Sequence, residues 1–86
     1  AVSAAARDYI LENYPGTDSA RVHLIDGKCK TAQHDLDTVL EARPDLARAH
    51  YYRGAALLCR RQRKAGLTAY GRAIELDGRY RFDKRI

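Results

Sequence analysis

Two cysteines, Cys29 and Cys59, and three histidines, His23, His34 and His50, are the side chains of this 86-residue chain best suited to nucleophilic or metal chemistry. None stands in a C-x-x-C or H-x-x-x-H arrangement, the spacings that bring two ligands onto one metal. Asp35 and Asp37 are two residues apart, so on a helix they diverge and cannot work as a facing acid–base pair. His34 beside Asp35, and His23 three residues before Asp26, read as surface polar groups. With no Gly-rich phosphate loop and no nucleophile motif, the expectation is a protein that is not an enzyme and holds no metal and no cofactor. Two cysteines are too few for the disulfide framework of a small secreted domain, so both are expected to be reduced packing residues, a single inter-helix disulfide being the other arrangement.

Cationic chemistry is denser. Arg60, Arg61, Arg63 and Lys64 put four cations into five positions, and Arg79, Arg81, Lys84 and Arg85 continue the excess at the C-terminus. Residues 1–44 carry five Lys/Arg against seven Asp/Glu, and residues 45–86 carry eleven against four. Such a half could face nucleic acid, an anionic membrane or an acidic protein, or could be a solvated turn whose cations complement a helix C-terminus. Only "RYRF" at 79–82 interleaves aromatics with basic residues, as nucleic-acid modules commonly do.

The elements that carry these groups read as helices nearly throughout. Ala, Leu, Arg, Glu and Gln dominate, and no alternating strand pattern persists. Pro15 and Pro44 break the chain, with Thr17 or Asp18 and then Asp45 as caps, while "DGK" (26–28) and "RRQRKAG" (60–66) supply turns. Five helices are predicted, over about 2–13, 17–26, 29–43, 45–60 and 64–77. One all-α domain is expected over 1–86, since a chain of this length supports a single core. No apolar run approaches the roughly 20 residues needed to span a bilayer. The chain opens on Ala1 rather than Met, as a segment of a longer protein or a processed form would; the compartment expected is the cytoplasm.

Small residues recur at a fixed interval. An offset of 34 sets Gly54 on Ala20, Gly66 on Ala32, Tyr70 on Leu36, Ala73 on Val39, Ile74 on Leu40 and Gly78 on Pro44. Residues 47–78 resemble the tetratricopeptide repeat, a 34-residue helix–turn–helix unit. Gly54, Leu57, Gly66, Tyr70, Ala73 and the closing "AIELD" fall at its small and large positions, and Gly27 at its turn glycine. The sequence departs from that pattern at His50, Arg53, Arg61 and Arg63, the last two standing where a turn glycine and an aromatic are common. The resemblance implies antiparallel helical hairpins stacked as a right-handed α-solenoid: a leading helix (1–14), a first repeat (15–44), a second repeat (45–78) and a tail (79–86).

It also implies a function. Such repeats bind peptides or partner helices on the concave face lined by each repeat's first helix. On this chain those positions are Arg21, Leu24 and Ile25, then Arg48, Tyr51, Ala55, Leu58 and Cys59, with Tyr51 in the groove and Tyr52 to one side. Tyr51 and Leu58 could equally pack against neighbouring helices. The Lys and Asn that let some family members clamp a chaperone's C-terminal carboxylate are missing from these positions. The expected partner is a protein or peptide, possibly acidic. The alternatives are a basic patch for nucleic acid or anionic membrane, and self-association through exposed end helices.

Overall fold

Helix register follows the sequence punctuation closely. A computed structural model describes residues 16–82. Helix α1 spans Gly16–Ile25, α2 Cys29–Ala42, α3 Ala47–Cys59 and α4 Arg63–Leu76, and a 3-10 turn, η1, occupies Gly78–Phe82. The described residues thus hold four α-helices rather than five, the helix expected over 2–13 lying outside them. Each helix packs on the next, α1 also reaches α3, and η1 folds back on α4.

Both hairpin turns close in the same way. After α1, Gly27 takes a left-handed φ of 79° while its N–H donates to Leu24 O (3.1 Å) and the Lys28 N–H donates to His23 O (2.7 Å). After α3, Arg61 takes a φ of 62°, its N–H donates to Leu58 O (3.0 Å) and the Gln62 N–H donates to Leu57 O (2.8 Å). These are two Schellman closures, displaced by the interval that separates Gly27 from Arg61, and α2 and α4 begin and end at the same displacement. Arg61 therefore holds a backbone conformation that suits glycine and strains a residue carrying a Cβ. Replacing Arg61 with glycine should raise the unfolding free energy by about 1 kcal/mol, read as a higher denaturant midpoint; an unchanged or lower midpoint would contradict the strain.

The Pro44 turn differs from expectation by two residues. Helix α3 starts at Ala47, because Leu46 rather than Asp45 is the extended N-cap residue, and the Asp45 carboxylate accepts a hydrogen bond from Arg43 Nε (3.3 Å). Thr17 and Asp18 lie inside the first turn of α1 rather than ahead of it. His50 Nε2 hydrogen-bonds Pro44 O at 2.8 Å, tying α3 to the turn before it.

The core is made largely of alanine. Cys29, Ala32, Leu36, Val39 and Ala42 recur every three or four residues and form the buried stripe of α2. They meet Ala20, Ala49 and Ala56, with Leu36, Leu57 and Val39 as the largest fully enclosed side chains. Short side chains let the helices approach closely. At the α3–α4 contact even a methyl group is too large: a Cβ on Gly54 would fall 2.5 Å from Tyr70 Cδ1, and one on Gly66 would fall 2.9 Å from Leu58 Cγ.

Candidate functional site

The close α3–α4 contact fixes the face that α3 turns toward α1. On that face, the adjacent Tyr51 and Tyr52 are followed at steps of three or four residues by Ala55 and Cys59, and the four form one stripe. Arg21, Leu24 and Ile25 from the C-terminal half of α1, with Cys29 at the start of α2, form the facing wall. Between them lies an open groove of about 390 Å³. Its lining is apolar apart from Arg21, which has no carboxylate partner among the described residues. Ile25 stands 72% exposed on the rim.

Tyr51 forms the floor rather than a free contact. It is 4% exposed, and its ring centroid lies 5.9 Å from Tyr52, 5.4 Å from Tyr70 and 4.8 Å from Tyr80. Rings from α3, α4 and η1 thus hold it in place. Tyr52, expected to one side, also lines the groove. The structure brings Arg21, Leu24, Ile25, Tyr51, Ala55 and Cys59 together and leaves out two expected neighbours. Leu58 lies over Gly66 in the α3–α4 contact, one turn on from Gly54 and on the same face. Arg48 lines a second cleft with Asp77, Arg79 and Tyr80, at the end where α3 begins and α4 stops.

At that end Asp77 organises η1. Its carboxylate accepts from the Arg79 N–H (3.1 Å) and from Arg79 Nη2 (2.6 Å). These hydrogen bonds from Arg79, side chain first and backbone second, hold the Asp77 carboxyl below its ordinary pKa, and the Arg79 guanidinium is raised in turn.

Cys29 and Cys59 are joined in a disulfide, with 6.1 Å between their Cα atoms, so the expectation of two reduced thiols is corrected. The physical reason lies in the hairpins: one cysteine follows the first turn and the other precedes the second, and stacking sets the two turns side by side. The same stacking places Arg60 Nη1 2.6 Å from Gln33 Oε1 on α2. A disulfide belongs to an oxidising compartment more readily than to the cytoplasm.

No family model, curated protein or solved structure compared with this chain matches it. His23 Nδ1 lies 2.9 Å from Asp35 Oδ2, and Ser19 Oγ lies 3.4 Å from the same oxygen. A catalytic triad needs the hydroxyl on the imidazole, where the ring can take its proton. Here hydroxyl and imidazole both bond the carboxylate, an arrangement that pins α1 to α2. Sequence reasoning missed this link because its partners are 12 and 16 residues apart on different helices. Arg53, a departure from the repeat pattern, bonds Asp37 Oδ1 at 2.7 Å and pins α3 to α2. Among the described residues no His, Cys, Asp and Glu cluster is arranged to hold a metal, and no helix is long and apolar enough to cross a membrane.

The arginine turn faces solvent: Arg60, Arg61, Arg63 and Lys64 are all exposed. Its expected continuation into Arg79 and Arg81 does not occur. The 14-residue helix α4 stands between, a separation of about 20 Å at 1.5 Å per residue. Arg79 is moreover paired with Asp77; Lys84 and Arg85 lie outside the described residues.

Proposed function

We propose that this chain is a protein-interaction module of the tetratricopeptide type, holding a peptide or partner helix in the groove between α1 and α3. The observation that carries this reading is that groove, lined by the first helices of two successive hairpins that share one register. Its apolar lining suits a bulky aliphatic or aromatic side chain, and Arg21 suits a neighbouring carboxylate, which a guanidinium can bind through two parallel hydrogen bonds. Tyr51, held by three rings, gives the groove a rigid floor, and the half-buried Tyr52 beside it offers ring area to a ligand at little entropic cost.

Selection from a displayed random-peptide library tests the reading. Selected peptides should carry one large apolar residue near an acid. Their addition should shift the backbone amide resonances of Arg21, Ile25 and Ala55, and Ile25→Asp should weaken binding at least about tenfold, the loss of one well-buried apolar anchor. Failure to select any peptide, or binders whose shifts map to α4, would remove the groove as the site.

A further inference from the structure

The disulfide end of the molecule carries a second surface. Lys28 and Lys30 flank Cys29, and Arg60, Arg61, Arg63 and Lys64 follow Cys59, so the bond between the cysteines gathers all six cations around two adjacent turns. All six are exposed. No carboxylate among the described residues pairs with any of them, and Arg60 bonds only the neutral Gln33. Asp26 is the one acid in either turn. This end therefore bears a net +5, which equals the formal charge of the whole chain; the other ten cations and ten acids cancel. The excess that the sequence assigns to the C-terminal half is instead one surface built from both halves.

Helix stability accounts for Lys28, Arg60 and Arg61, which follow helix C-termini where cations are favoured, but not for the other three. Lys30 stands in the first turn of α2, and Arg63 and Lys64 in the first turn of α4, where neither helix has an acid. Cations there oppose the helix macrodipole. Apolar side chains stand at the same end: among the described residues Val22, Ile25 and Leu67 are the exposed large hydrophobics, at 49%, 72% and 49%. Val22 and Ile25 close α1 and Leu67 follows the start of α4, all within about one turn of the cations.

The geometry points to an anionic lipid surface as the partner of this end. Cations bring a protein to acidic headgroups, and apolar side chains beside them gain by entering the interface. A nucleic-acid backbone would satisfy the cations but leave Val22, Ile25 and Leu67 against a polar surface, and neither turn contains an aromatic residue on which a base could stack. The two turns, tied by the disulfide, meet a plane together. Ile25 is shared with the rim of the peptide groove, whereas Lys30 and Arg63 lie outside its lining, so reversing those two charges tests the lipid surface without touching the peptide site.

Partitioning onto vesicles tests it. The oxidised protein should bind phosphatidylcholine vesicles containing phosphatidylglycerol, release from them as salt rises above physiological strength, and ignore pure phosphatidylcholine. Lys30→Glu with Arg63→Glu should cut the partition coefficient about thirtyfold or more, from the usual contribution of each basic residue near an acidic surface. The fold is safe in this variant, because acids in a first turn favour the helix. Arg48→Glu with Arg81→Glu removes the same charge elsewhere and should retain most binding. Because the chain has no Trp, Ile25→Trp provides a single fluorophore, whose emission should shift to the blue on anionic vesicles and stay unchanged with duplex DNA. Absence of partitioning at low salt, equal losses in the two charge-reversed variants, or a duplex bound through this end while vesicles are not, would each overturn the inference.

Discussion

Replacing Cys29 and Cys59 with serine is expected to lower the unfolding free energy by about 3–4 kcal/mol. The bond closes a loop across a sequence separation of 30 residues, and the chain-entropy relation for a loop of that length gives about 3.7 kcal/mol at 25 °C. A domain of this size holds roughly 4–13 kcal/mol in total, so the tether is a large fraction of the whole. An alanine-rich core makes that dependence intelligible: Ala20, Ala32, Ala42, Ala49, Ala56 and Ala73 are fully or almost fully enclosed, yet each contributes little apolar area on folding. Urea unfolding of the oxidised protein, the reduced protein and the double variant measures the effect. Reduced and doubly substituted forms should unfold at the same lowered midpoint, and either single substitution should match the double, since each breaks the same bond. A loss below about 1 kcal/mol would show that the stacked hairpins stay together without the tether. Reduction should also loosen the groove, because both cysteines belong to its lining.

Local features of this fold are legible in the sequence, and contacts between distant segments are not. Gly27 announces a left-handed turn, Pro44 a break, and the paired small residues Ala20/Gly54 and Ala32/Gly66 mark buried helix faces, because each reflects the backbone or the helical period at its own position. Arg61 hides the second turn, since nothing in an arginine signals a positive φ. Of the two places the sequence leaves open for Leu58, its spacing from Gly54 selects the α4 side, and the position of Tyr52 one turn before Ala55 puts it on the groove rather than to one side. In both cases periodicity held the answer. The cysteine pairing, the His23–Asp35 link and the gathering of Lys28 and Lys30 with the arginine turn depend on how hairpins stack, which no single helix period specifies. The departures from the repeat pattern acquire reasons in the same way: His50 bonds the Pro44 carbonyl and Arg53 bonds Asp37, so polar links replace apolar packing at those positions.

Gly54→Ala should destabilise the protein by about 1–2 kcal/mol, and Gly71→Ala should stabilise it by up to about 1 kcal/mol, although both place the same methyl group inside a helix. Alanine gains about 1 kcal/mol over glycine in a helix interior at either position. At Gly71 nothing lies within 4 Å of the new Cβ, so that gain is kept. At Gly54 the Cβ would stand 2.5 and 2.6 Å from the Tyr70 ring and 3.0 Å from the Gly66 carbonyl oxygen. Tyr70 is restrained by packing on Tyr51, which in turn packs on Tyr80. The helices must then separate, and overpacking of this kind costs about 1–3 kcal/mol, more than the propensity gain. Denaturant midpoints of the two variants, measured with the disulfide intact, should move in opposite directions. Destabilisation by both would mean that helix propensity counts for little here, and stabilisation by both would mean that α3 and α4 are not in contact at Gly54. The consequence reaches the groove: moving α3 off α4 carries Tyr51 and Ala55 with it, so Gly54→Ala should weaken a groove-bound peptide while Gly71→Ala leaves it unchanged.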